Sequence, residues 1–289
     1  MTNHIIRNDA LRAVVSDSGA ELISVQDLRT GRERIWTADP AVWNRHSPIL
    51  FPFVGKVTGG KYRLGDREYD MPTQHGFARD LPFACVSETP SSVTHVLTAD
   101  EATRKNYPFD FRLSVTHSLC ENRIQVTYGV ENRSGETMYF CIGGHPGFLL
   151  PEGVRKEDCF LVFPECSTLR YIGADGTGFG LPDAVYTLKT DNGYAPWQDD
   201  IPDTWIFEDH QVKTVGIALP DRKPFVMMTC EQFPMLAIWA NPKGTFLCLE
   251  PWVGRTDDAG FRGTVDQKKS IASLRAGEQT EFSYTIQFD

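Results

Sequence analysis

Apolar residues along this chain recur mostly at every second position. Phe111, Leu113 and Val115 alternate with Arg112, Ser114 and Thr116, and beyond Glu121-Asn122 the alternation resumes at Ile124, Val126, Tyr128 and Val130. A side-chain period of two belongs to strands with one buried face, so the spacing predicts a hairpin. Tyr62-Arg63-Leu64 and Arg67-Glu68-Tyr69 flank Gly65-Asp66, a Gly-first two-residue loop of the kind a type II′ turn uses, which predicts another. Further strands are expected at Leu11–Val15, Glu21–Val25, Val93–Leu97, Met138–Ile142, Phe160–Phe163, Val215–Leu219, Phe225–Thr229, Leu236–Ala240, Thr245–Leu249 and Phe282–Phe288. Helix signals are few. Thr98-Ala99-Asp100-Glu101 has capping-box spacing, and Tyr107-Pro108 stops that segment after about two turns, so one or two short helices are expected.

More than a dozen short strands at close spacing, with Gly, Pro, Asn and Asp between them, point to an all-β antiparallel sandwich or barrel. No Ser/Gly-rich linker, low-complexity tract or internal repeat divides the chain. The expectation is a single oversized domain over residues 1–289. With 289 residues the chain can bury about three quarters of its unfolded surface, so it needs no disulfides or metal to fold. Seven cysteines, an odd number without a CxxC pair and mostly inside apolar runs, read as buried reduced thiols.

The formal charge of −9 excludes counterion-driven nucleic-acid binding and disfavours an anionic membrane surface. Met1-Thr2-Asn3-His4-Ile5-Ile6-Arg7 lacks the basic and apolar stretches of a secretory signal, and no window approaches ~18 apolar residues. A cytoplasmic protein, monomeric or homodimeric, with no nucleic-acid or membrane partner is expected.

Three segments break the strand pattern. In Gln74-His75-Gly76-Phe77-Ala78-Arg79-Asp80 a histidine, a cation and an acid surround a glycine and an aromatic. In Cys141-Ile142-Gly143-Gly144-His145-Pro146-Gly147-Phe148 two glycines permit close backbone approach to a ligand, and Pro146 pushes His145 into extended conformation. In Phe246-Leu247-Cys248-Leu249-Glu250-Pro251-Trp252 the acid ends an apolar strand, where partial desolvation makes it a better proton acceptor, and Trp252 offers a flat face of the kind that packs on sugar rings. Each also has a plain structural reading: a core histidine, a capped turn, and a strand-end carboxylate paired with Arg255. Cys141-x₃-His145 lacks a second paired ligand motif, so no metal site is read. Phosphate-loop, dinucleotide, nucleophile-elbow and His-Glu-x-x-His motifs are absent. One carboxylate and two histidines suffice for a proton shuttle without cofactor.

Taken together, and with Asn8–Leu22 and Pro48-Ile49-Leu50-Phe51-Pro52-Phe53-Val54-Gly55-Lys56, these segments resemble the aldose 1-epimerases (galactose mutarotase-like proteins), and within them the LacX-like branch. The resemblance spans nearly the whole chain, and the order and spacing of the segments carry it. It implies a β-supersandwich that interconverts α and β anomers of a free aldose, with Glu250 taking the proton of the anomeric hydroxyl, His145 protonating the ring oxygen and His75 hydrogen-bonding the sugar. It further implies sugar contacts from Asp203 and Arg79. Lys56 departs from the arginine usual in relatives, keeping the charge without the bidentate fork. The alternatives are a hexose-6-phosphate 1-epimerase and a catalytically silent carbohydrate-binding or sensor protein on the same scaffold.

Overall fold

A computed structural model describes residues 2–198 and 204–289, and it is built almost wholly of antiparallel strands. Two large sheets dominate. The nine-stranded sheet runs, from edge to edge, Tyr194–Pro196, Phe160–Val162, Thr214–Ala218, Pro224–Thr229, Gln279–Phe288, Arg123–Asn132, Phe111–Cys120, Ser92–Thr98, Ala84–Thr89. The eight-stranded sheet carries the order Gly180–Lys189, Thr168–Ala174, Thr204–Phe207, Met235–Trp239, Phe246–Val253, Ile142–Gly144, Ile49–Leu50, with Gly147–Leu149 also paired to Phe246–Val253. A three-stranded sheet (Asn3–Arg7, Leu11–Ser16, Leu22–Asp27) and two small ribbons complete the supersandwich.

The alternating residues sort as their period requires. Phe111, Leu113, Val115, Ile124, Val126, Tyr128 and Val130 are all buried, and Cys120 opposes Arg123 across the Glu121-Asn122 turn. Tyr62 and Tyr69 pair across Gly65-Asp66, where Gly65 takes φ +57°. One hydrophobic cluster runs from Ile6 to Phe288 between the layers. A second, small one joins Trp36, Phe246 and Cys248 and packs against Trp43 and Trp239.

Several expectations need correction. The α-helix is Glu101–Asn106, and its N-cap is Asp100, whose side chain accepts from the Thr103 N–H at 2.7 Å while the Thr103 hydroxyl accepts from the Asp100 N–H at 2.9 Å. The box therefore lies two residues after Thr98, which remains in a strand. The expected strand Met138–Ile142 is two strands in two sheets: Met138–Phe140 pairs with Ala272–Leu274, and Ile142–Gly144 joins the eight-stranded sheet. Glu250 does not end a strand but lies inside Phe246–Val253. All cysteines are free, yet Cys120 is exposed and Cys85 and Cys166 are half-buried. No helix among the described residues is long and apolar enough to cross a membrane.

Candidate active site

The Phe246–Val253 strand pairs with Ile142–Gly144 through Gly143↔Trp252 and with Gly147–Leu149 through Gly147↔Cys248. Both pairings share one register, so the residue opposite Glu250 is His145, at the point where the ladder is interrupted. The sequence explains the gap. Neither Pro146 nor Pro251 has an N–H to give a ladder bond, and the His145 N–H turns to the Pro48 carbonyl at 3.1 Å instead. Directly opposed residues project from the same face with Cβ atoms about 5 Å apart. The result is a His145 Nδ1 to Glu250 Oε1 separation of 3.4 Å.

Phe246, Cys248, Glu250 and Trp252 share this face of the strand, while Leu247 and Leu249 enter the main core. Glu250 therefore sits beside an apolar floor. At 1% exposed, its carboxyl is pushed well above the ordinary range by burial; the Trp252 indole N–H, which is outside hydrogen-bonding geometry, pulls the other way. Glu250 Oε2 and His145 Nδ1 both lack hydrogen-bond partners among the described residues. Burial first, and then the Arg79 charge, depress His145 to about 3, so the ring is neutral. Trp43 lies against that ring at a centroid distance of 4.8 Å and Trp239 meets it edge-on at 5.5 Å.

His75 comes from a different segment. Its backbone N–H donates to the Gly55 carbonyl at 2.7 Å, and the Gly55 N–H donates to His75 Nδ1 at 3.1 Å. Because Nδ1 accepts, the neutral ring carries its proton on Nε2, which faces the Gln74 amide at 3.1 Å and requires that amide to turn its oxygen toward the ring. His75 stands 5.5 Å from His145, centroid to centroid, and burial holds its pKa well below the usual value. The exchange requires glycine at 55, where φ is +68° and an added Cβ would fall 2.3 Å from Thr256 Cβ.

These three side chains line one open cleft of about 480 Å³, together with Lys56, Arg79 and Trp252. That volume is in the range that takes a monosaccharide. Arg79 follows His75 on a single 3₁₀ turn, with its Nε unpartnered and 4.0 Å from Asp80, whose closer partner is Arg45. Lys56 reaches the Gly178 loop. Trp252 is 4% exposed, so its ring face is covered by protein. The aromatic faces nearest His145 are instead those of Trp43 and Trp239, which the sequence reading did not single out. Asp203 lies outside the described residues. Arg255 does not pair with Glu250: its guanidinium donates to Glu208 at 2.7 Å and Asp258 at 2.6 Å.

Arg45, Asp175 and Asn241 also line the cleft and went unrecognised. Asp175 had a visible signal, a Gly-Ala-Asp-Gly-Thr-Gly run, and its Oδ1 gathers the N–H groups of Thr177 and Phe179 at 2.8 and 3.1 Å. For Trp43 no local signal exists, since its role depends on the Phe246 and His145 rings it stacks upon.

The chain is similar to known proteins along its length. Residues 2–165 match the family model for aldose 1-epimerase. The chromosomal protein LacX of Lactococcus lactis subsp. lactis is 29% identical over 97% of each chain. A galactose mutarotase related enzyme from Lactobacillus acidophilus is 32% identical, with a TM-score of 0.93 over 100% of this chain and 97% of its own. A galactose mutarotase-like protein from Lactobacillus casei is 31% identical, with a TM-score of 0.91 over the whole of both chains. With the family model covering more than half of its length, the chain belongs to the aldose 1-epimerase family.

Proposed function

We propose that this protein is a mutarotase that opens and recloses the ring of a free hexose without a cofactor. The observation that carries the reading is the buried Glu250–His145 pair, 3.4 Å apart at a sugar-sized cleft, with Glu250 Oε2 and His145 Nδ1 free of hydrogen-bond partners among the described residues. Opening a hemiacetal removes a proton from the anomeric hydroxyl and adds one to the ring oxygen, so it needs a base and an acid around a single ring.

The pair holds one mobile proton. Burial disfavours the charged form of each group, which favours the proton on Glu250 over His145. A sugar hydroxyl donating to the unpartnered Oε2 favours the ionised carboxylate, and the proton then passes to His145. Glu250 takes the anomeric proton as the exocyclic C–O becomes a carbonyl. The C1–ring-oxygen bond breaks, and His145 delivers its proton to that oxygen. His75 Nε2–H supplies a fixed donor that holds the same oxygen. Rotation about C1–C2 presents the other aldehyde face, and the transfers run in reverse.

A second reading has its own support. Arg45, Lys56 and Arg79 gather at a cleft in a chain whose net charge is −9, and three cations suit a hexose 6-phosphate. Asp80 neutralises Arg45, and Asp175 adds a negative charge to the lining, so we favour a neutral sugar. Polarimetry on freshly dissolved α-glucose, α-galactose and glucose 6-phosphate tests both. Acceleration of a neutral sugar, unaltered in rank by salt, is expected. A phosphate preference that salt weakens and Arg79→Ala removes would establish the second reading. Sugar binding with no acceleration would leave a silent binder.

A further inference from the structure

Outside the cleft lining, four chain segments converge at the edge of the nine-stranded sheet. His4 comes from the first strand, Asp17 from the turn after Leu11–Ser16, Cys85 from the edge strand Ala84–Thr89, and His95 from its neighbour Ser92–Thr98. A β-bulge between Cys85 and Ser87 leaves Val86 exposed and sets Cys85 directly opposite His95. The Sγ of Cys85 and ring nitrogens of His4 and His95 lie within 4.8 Å of one another.

His95 points to a ligand. It is 0% exposed, yet neither ring nitrogen has a hydrogen-bond partner among the described residues. Burying an imidazole with both nitrogens unsatisfied is unfavourable unless something else bonds to them. Its Nε2 is 3.3 Å from Asp17 Oδ1, and His4 Nε2 is 3.0 Å from the same oxygen. In a tetrahedral zinc site with bonds of about 2.0–2.1 Å, neighbouring nitrogen and oxygen ligands stand about 3.3 Å apart. The outer shell is present too. His4 Nδ1 is 2.8 Å from Glu88 Oε2, the carboxylate that orients a ligating histidine.

We propose that His4 Nε2, His95 Nε2, Cys85 Sγ and an Asp17 carboxylate oxygen bind one zinc-type divalent cation. The mixed N, S and O set suits zinc or cobalt and excludes magnesium and calcium, which take oxygen ligands. Two neutral imidazoles, a thiolate and a carboxylate balance the dication, and the thiol proton leaves to solvent as the sulfur bonds. Cys85 Sγ, held by a 3.7 Å contact to the Ser87 carbonyl, has to turn toward the two ring nitrogens to reach a bond of about 2.3 Å. The ion ties the first strand to the outermost strands of the large sheet. Spacing could not show this site, because its ligands come from four separate segments.

Cobalt(II) titrated into EDTA-stripped full-length protein tests the proposal. One equivalent should bind, with the intense visible absorption of tetrahedral cobalt and a near-ultraviolet thiolate charge-transfer band, and zinc should displace it and raise Tm. Cys85→Ser, a half-exposed and mild change, should abolish the charge-transfer band and weaken binding more than the ~10–100-fold expected for Glu88→Gln, while mutarotation is unchanged. Glu250→Gln should keep the band, which separates this cluster from the buried group of His145, Cys248 and Glu250. Absence of tetrahedral cobalt absorption, persistence of the thiolate charge-transfer band in Cys85→Ser, or its loss in Glu250→Gln would overturn the assignment.

Discussion

Replacing Glu250 by glutamine changes one buried atom and removes the base. The amide nitrogen, placed where Oε1 now lies, would find His145 Nδ1 3.4 Å away as an acceptor, so the side chain keeps its position. A positioned base is worth ~10²–10⁴ in rate, or about 3–5 kcal/mol of barrier, and Glu250→Gln should lose that much kcat with little change in sugar affinity. Stability should respond in the opposite direction. Burial raises the folded-state pKa of Glu250 above its unfolded value, so its contribution is fully present below the ordinary carboxylate range and is lost as pH rises through the folded value. Glutamine has no such loss. The Tm of the variant relative to the parent should therefore increase from pH 5 to pH 8.5. Polarimetry, saturation-transfer NMR on the anomeric protons and thermal melts at the two pH values measure all three effects. Full activity in Glu250→Gln, or a Tm difference that shrinks as pH rises, would refute the assignment of Glu250 as a desolvated base.

His145→Asn should lower turnover by at least ~10², and the Glu250→Gln/His145→Asn double variant should be far less damaged than the product of the two losses, because they share one proton; multiplicative losses would show independent action. The pH profile of kcat/KM should show no acid limb near 6.5, since burial holds His145 neutral until about 3, and a titration near 6.5 would place the working imidazole elsewhere. Gly55→Ala should cost ~1–2 kcal/mol for a side chain at φ +68°, and more for displacing Thr256, and should lower kcat by releasing His75; circular dichroism with urea, beside polarimetry, checks both. EDTA treatment should leave anomerisation unchanged, and restoration by zinc of an activity that EDTA had removed would contradict the proton shuttle.

Much of the sheet was legible because one face of each inner strand is buried and the other is not. The Phe111–Cys120 and Arg123–Asn132 pair shows this in residue after residue. Edge strands were not legible. Gly180–Lys189 carries Pro182, Asp183 and Thr187 on largely exposed positions, and nothing in burial forces an alternating pattern on it. Alternation also cannot tell which sheet a strand joins, and so Cys141 hid the switch between two of them. Glu250 looked like a strand end because Pro251 follows it; the strand continues because that proline meets the broken part of the ladder. Motif order singled out Glu250, His145 and His75, and the fold brings the three side chains to one cleft. Trp43 and Trp239 were not singled out, because a stacking surface exists only once distant segments have met.

The shared register of His145 and Glu250 divides the protein into parts that tolerate change differently. Both chemical groups are fixed by backbone pairing within one sheet, whereas Asp175 and Lys56 approach from loops. Inserting or deleting one residue between Ile142 and His145 would shift His145 out of register with Glu250 and, on the proposed mechanism, abolish turnover. The same length change around Gly176 would reshape only the rim. Divergence among relatives should therefore exchange one sugar for another through loop length while the ladder stays invariant, and libraries built to alter specificity should randomise residues 174–178 and leave 142–148 and 246–253 untouched.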